Sequence, residues 1–140
     1  MSIRQPSAWL VVAGIKDVEN RSWPTNYRGP LLIHAANDRK SCRPDKLYGT
    51  AQRFHVTLPD RFEFGGIIGV ASVADCIKGY PSQWASSRHF NWLMTDARPL
   101  RFRPCKGTLG LFQPDYDSRV GQGDHKERAP EQTSLFDDIP

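Results

Sequence analysis

Gly14-Ile15-Lys16-Asp17-Val18-Glu19-Asn20-Arg21 sets a Lys, a Glu and an Arg within six residues, directly after an apolar stretch at positions 8–13. Pro6 suits the first turn of a helix over that stretch, and Gly14 suits its left-handed stop. The charges therefore fall where the chain changes direction and becomes extended. On an extended segment residues 19 and 21 share parity, so the Glu19 and Arg21 side chains lie on one face and can pair. Lys16 adds a compact cation that contacts phosphate or, desolvated beside Arg21, acts as a nucleophile or base. Three charges at a helix-to-strand junction point to a ligand. The bland alternative is a Glu19–Arg21 pair that only anchors the fold, with Lys16 in solvent.

Outward from this stretch the chain reads as short strands with few helices. Residues 30–36 form a buried strand ending in small residues. Leu47, Ala51 and Phe54 recur at helical spacing, with Asp45 as cap, and predict a peripheral helix. Residues 66–77 are apolar on both parities and rich in β-branched side chains, the pattern of a central strand covered on both faces. Residues 88–94 alternate, and 98–103 and 107–113 supply two further strands separated by Pro104 and a turn at Gly107. Five or six strands suffice to close a small barrel. The expected class is mainly β, α+β in detail, with two or three helices at the periphery.

The chain has 140 residues, enough for one domain and too short for two ordinary ones. No apolar run reaches the ~18 residues of a membrane-spanning helix, and the start lacks the apolar stretch of a secretion signal, so a cytoplasmic protein without membrane contact is expected. Cys42, Cys76 and Cys105 are odd in number and far apart, which suits neither a disulfide framework nor a zinc site. No metal ligand set is assigned. Charge is informative once the chain is divided: residues 1–114 carry 16 Lys+Arg against 8 Asp+Glu, a balance of +8. Residues 115–140 carry 3 against 7, a balance of −4, which restores the +4 of the whole. Eleven of the 16 cations are Arg, whose planar fork matches phosphate. Residues 1–114 are read as the folded domain and 115–140 as a disordered acidic tail, nearly without apolar residues up to Pro130.

Together with Ile3-Arg4-Gln5-Pro6, Ser22 to Ala35, Gly66-Ile67-Ile68-Gly69-Val70-Ala71 and Gly107-Thr108-Leu109-Gly110-Leu111-Phe112, the stretch Gly14-x-Lys16-x-x-Glu19-x-Arg21 resembles the signature of the ASCH domain, a small PUA-like β-barrel family. The resemblance covers about residues 2–112. One departure is Ser7, where the family often has Trp after the Gln-Pro pair. The resemblance implies a basic cleft that takes single-stranded RNA or a nucleobase. Around it, Arg4 and Gln5 offer donors to a base edge or phosphate, Lys16 and Arg21 supply cations, and Trp23 and Tyr27 supply rings for stacking. Arg28, beside Gly29 at a turn, is a further candidate contact. His34, near the end of a buried strand, reads first as a packed core histidine.

An enzyme is the alternative class, with Lys16, Glu19 and Asp75 as candidate catalytic groups. Asp75 interrupts an apolar strand and joins Lys16 and Glu19 only if it faces the cleft. At the strand end it is a solvated cap. Some ASCH proteins deacylate N4-acetylcytidine with a Lys, a Thr three residues later and a Glu, but the residue three after Lys16 is Glu19, so that hydroxyl is missing there. Others resemble ribonucleases, for which a divalent metal is the one cofactor to consider. A third class is an adaptor: Gln132-Thr133-Ser134-Leu135-Phe136 resembles the motif by which bacterial proteins dock on the replication sliding clamp, with Gln132, Leu135 and Phe136 as contacts.

Overall fold

The computed structural model describes residues 1–116. The segment containing Gln132, Leu135 and Phe136, and nearly all of the expected tail, lies outside the described residues. The elements run β1 (Ser2–Ile3), α1 (Ser7–Val12), β2 (Val18–Arg21), β3 (Gly29–Ala35), a 3-10 turn (Lys40–Cys42), α2 (Pro44–Phe54), β4 (Gly66–Ile77), β5 (Phe90–Lys106) and β6 (Asp115–Tyr116). The sheet order is β1-β3-β4-β5-β2, with β6 added to β5. β1 runs parallel to β3 and every other pairing is antiparallel, so the sheet is mixed. This is the mainly-β, α+β class expected, with two α-helices.

The sheet curls but does not close. β1 and β2, its two edges, share no backbone ladder. Instead Arg21 at the end of β2 reaches across and donates from Nη2 to the carbonyl oxygen of Ser2 at 2.7 Å. A side chain thus spans the seam where a closed barrel would have strand pairing.

The central strand is β4, whose first six residues are all buried, as the two-sided apolar pattern demands. On one face α1 lays Ala8, Val11 and Val12 against Ile33, Ala71, Val73, Trp92 and Met94. Gly69 permits this approach, because a Cβ there would come within 2.5 Å of Val12 Cγ1. On the other face Leu32, Ile67, Val70 and Cys105 form a smaller cluster. Gly14 ends the α1 segment with φ +76, in the left-handed region. α2 buries none of its residues fully and is held at its end by Phe54 stacked on Trp84 at 3.9 Å, so it is peripheral. Asp45 sits in its first turn, but the position before the helix is Arg43 and no side chain caps it.

Two expectations about the later strands are corrected. The expected strands at 88–94 and 98–103 are not separate elements: residues 90–94 and 98–103 are parts of β5, which continues through Pro99 and Pro104, while 88 and 89 precede it in a turn. The prolines are tolerated because β2 covers β5 only over Phe90–Leu93 and β6 only at Cys105 and Lys106, and Pro99 and Pro104 lie on the uncovered stretch between, which needs no N–H donor on that side. Residues 107–113 form no strand; the ladder resumes only where Asp115 and Tyr116 pair with Lys106 and Cys105. These two residues are the first of the segment read as tail.

Candidate nucleic-acid interface

The unclosed seam is a cleft of about 1080 Å³. β1 gives one wall through Ser2 and Ile3, and β2 gives the facing wall through Glu19, Asn20 and Arg21. The end of β3 and the residues after it contribute His34 and Asn37, and residues 104–110 close the far side. Among the described residues its charged lining is Arg4, Arg21 and Lys106 against Glu19 alone.

Glu19 sits between two cations. Its Oε2 is 3.7 Å from Lys16 Nζ, and its Oε1 is 3.7 Å from Arg21 Nε. Both separations are electrostatic contacts, too long for hydrogen bonds. Lys16 Nζ donates instead to Ser7 Oγ at 3.2 Å. Glu19 and Lys16 are both buried, at 7% and 9% exposure. Among the described residues Glu19 Oε2 and Arg21 Nε have no hydrogen-bond partner. Buried polar atoms are paired in the great majority of cases, so two orphans in one cluster mark it as unfinished.

Across the cleft His34 is 2% exposed and fully engaged. Its Nε2 faces the Cys105 carbonyl at 2.8 Å, which can only accept, so Nε2 carries the proton. Nδ1 then accepts from the Ser2 hydroxyl at 2.9 Å. Burial pushes the imidazole below its ordinary pKa, and the Cys105 carbonyl partly opposes this. Gly107 packs directly on the ring: a Cβ there would lie 2.6 Å from His34 Cε1.

Of the residues singled out in the sequence, Arg4, Glu19 and Arg21 line the cleft, with Lys16 held behind Glu19 and Ser7. Gln5 is adjacent in sequence but turned inward, at 1% exposure, with Nε2 donating to Glu63 O and Oε1 accepting from Trp9 N–H. Trp23 packs edge-on against Trp92, ring centroids 4.7 Å apart. Tyr27 lines a separate small cavity of about 330 Å³ and bonds through its hydroxyl to Pro30 O. Arg28 and Asp75 pair with each other at 3.3 Å, both well exposed. Asp75 also accepts from its neighbour Cys76 N–H, which is the strand-end reading, and it is not among the lining residues. Ser2, Asn37, Lys106 and the 107–110 loop were not anticipated as site residues. His34 was read as core, which it is, but it also forms part of the wall. Among the described residues no group of three or more His, Cys, Asp or Glu converges to hold a metal ion. No helix of the described residues is long and apolar enough to cross a membrane.

A mainly-β, barrel-like sheet that stays unclosed and carries two α-helices is consistent with the PUA-like class. Within it the chain belongs to the ASCH domain family, whose family model matches residues 1–101. It is similar to activating signal cointegrator 1 of Mus musculus, 30% identical over 138 aligned residues that cover 90% of this chain and 23% of that protein. The Homo sapiens protein of the same name is 29% identical over the same coverage. The chain spans about a quarter of the length of these curated relatives.

Proposed function

We propose that this ASCH domain binds single-stranded RNA, admitting one unpaired nucleotide into the seam between β1 and β2. The observation that carries this reading is the lining charge: three cations, Arg4, Arg21 and Lys106, converge on a cleft whose one acid already lies between two cations. Such a surface suits a phosphate, which Arg contacts through its planar fork. The cleft volume is that of a small-ligand site, and unpaired bases are the part of RNA that a protein reads by its edges. Among the described residues no Phe, Tyr or Trp lines the cleft, so recognition rests on charge and hydrogen bonds, with the guanidinium planes and the exposed Leu109 as the flat surfaces.

Titration of labelled single-stranded RNA against the full chain at several salt concentrations tests this. Arg21→Ala and Lys106→Ala should each flatten the log–log salt slope by about 0.7 and weaken binding about fivefold near 0.1 M salt. Lys106 is exposed, so its variant separates binding from folding. Unchanged slopes in both folded variants would reject the cleft. Equal affinity for DNA of the same sequence would widen the ligand class to single strands in general.

One observation favours a second reading, hydrolysis of an N4-acylated cytidine. The hydroxyl absent at position 19 has a counterpart in Ser7, whose Oγ lies 3.2 Å from Lys16 Nζ and which lines the cleft. In that reading Ser7 is the nucleophile, and its proton passes to Lys16 after the Lys16 ammonium has given one to Glu19. Incubation with N4-acetylcytidine, followed by chromatography, tests it: product with the native chain and none with Ser7→Ala supports turnover. No product from either leaves the domain a binding module.

A further inference from the structure

A second basic hollow opens beside the cleft and shares two of its residues, Arg4 and Asn37. It has a volume of about 750 Å³ and is otherwise lined by Asp38, Arg39, Lys40, Ser41 and Lys46. We propose that this hollow is a phosphate track, which holds the backbone of the RNA strand on one side of the nucleotide seated in the seam. The proposal rests on the cleft holding that nucleotide, and it adds where the strand goes next.

Three features support a built surface over a scatter of cations. First, its one acid is spent internally. Asp38 Oδ2 lies 3.4 Å from Arg4 Nε, and Oδ1 accepts from Lys40 N–H at 3.0 Å. The carboxylate therefore shapes the loop and offsets Arg4, leaving Arg39, Lys40 and Lys46 as the cations of the rim. Second, the loop is pinned: Ser41 Oγ donates to Asp38 O at 3.2 Å, and Cys42 N–H to Arg39 O at 3.1 Å. The Arg39 guanidinium lies over the Phe64 ring, 4.4 Å from its centroid, so it is positioned by stacking and not by a carboxylate. Third, Lys40 and Lys46 are exposed, and among the described residues neither ammonium has an ion pair or side-chain hydrogen bond.

The rim thus holds two uncommitted ammonium groups and one stacked guanidinium. It is continuous, through Arg4 and Asn37, with a cleft proposed to take a nucleotide. A strand leaving the seam past Arg4 meets these cations next. Phosphate contacts of this kind fix position along the strand without reading bases. The track therefore predicts affinity that grows with oligonucleotide length and salt sensitivity that grows with it.

The test uses the full chain with two probes, a labelled single ribonucleotide and a labelled oligomer of about 12 nucleotides, a length within single-strand site sizes. The variant is Lys40→Gln with Lys46→Gln, at exposed positions whose ammonium groups have no ion pair or hydrogen bond among the described residues. The oligomer should lose about 25-fold in affinity near 0.1 M salt, and its log–log slope should flatten by about 1.4, the value for two phosphate contacts. Affinity for the single nucleotide should not change. An oligomer bound as before by the double variant, while Lys106→Ala still weakens both probes, overturns the track and leaves the cleft standing. Indifference of both probes to both variants removes the cleft, and the track with it. Polyglutamate that competes as strongly as RNA, and is lost equally in the double variant, reassigns the hollow to acidic peptides and overturns the proposal.

Discussion

Two polar clusters meet on the four residues of β2, and they are finished to different degrees. From Asn20 the side chain enters a network in which Nδ2 donates to Trp84 O at 2.9 Å, while Oδ1 accepts from Ser86 N–H at 3.0 Å and Asn91 Nδ2 at 2.9 Å. Asn91, fully buried, also accepts from Tyr80 N–H and donates to Ser86 O. Every amide group in this pair is used, and together they tie the loop before β5 to the sheet. Glu19 and Arg21, one residue to either side, form the loose cluster with its two orphaned atoms. Satisfied buried networks specify a structure, and half-satisfied ones cost free energy unless something completes them. Asn20 lines the seam but spends its side-chain amide on the scaffold, whereas the Glu19 and Arg21 side chains belong to the seam.

The largest effect that separates the two is expected at Glu19. Glu19→Gln keeps the shape but removes the charge between Lys16 and Arg21, leaving two cations uncompensated in a buried place. Removing one partner of a buried ion cluster costs about 3–5 kcal/mol. Urea unfolding should show a loss of that size. A loss below about 1 kcal/mol would mean that solvent screens the cluster, and the contrast with the Asn pair would fail.

Asn91→Ala should cost less, about 1–3 kcal/mol, because it strands the Tyr80 N–H without an acceptor. The folded fraction should bind RNA unchanged. If binding fell with stability, the scaffold and the seam would be one unit, coupled through β2.

A smaller effect, dependent on pH, is expected from His34. Burial holds its folded pKa below the ordinary value of about 6.5. Below that pH the unfolded chain takes up a proton that the folded chain resists. Stability from this group is complete above about pH 6.5 and is lost as pH falls towards the folded value, with a slope of at most about 1.4 kcal/mol per unit. The difference between native and His34→Gln unfolding, followed from pH 7.5 to 5 (a span of about 2.5 units bracketing the ordinary value), isolates it. Parallel curves would show that His34 is as accessible to protons when folded as when unfolded.

How far the sequence reveals this contrast depends on the range of the interactions. The α1 segment with its Gly14 stop, the parity of Glu19 and Arg21, and the doubly covered strand β4 are local patterns, and each is legible. The continuity of β5 is not. Pro104 argues for a break until it is known that β2 leaves that edge free. Nor does spacing reveal that the barrel stays open, because the seam is defined by β1 and β2, far apart in sheet order, and spanned by Arg21. Gln5 illustrates the same limit. Next to Arg4 in sequence it reads as a second donor to the ligand, yet the chain turns it inward to Glu63, a partner 58 residues away. The wall at residues 104–110 also lies beyond the stretch that the family model matches.

The smallest expected effect tests the boundary of the site from outside. Arg28 and Asp75 have the residue types of a phosphate contact and a catalytic acid, and they do meet, at 3.3 Å. Their side chains are 42% and 52% exposed, however, and the pair lies outside the lining of the cleft. Exposed pairs of this sort gain little, since water screens the attraction and two side chains lose freedom. A double-mutant cycle with Arg28→Ala and Asp75→Asn should return a coupling below about 1 kcal/mol. Asp75→Asn should leave RNA affinity where it was, in contrast to Lys106→Ala. It carries a negative charge on a basic domain, so any long-range effect of removing it should strengthen binding slightly and fade with added salt. Weakened binding in Asp75→Asn, comparable to that of Lys106→Ala and insensitive to salt, would move the site from the seam to the far end of β4 and remove the distinction between the two faces of β2.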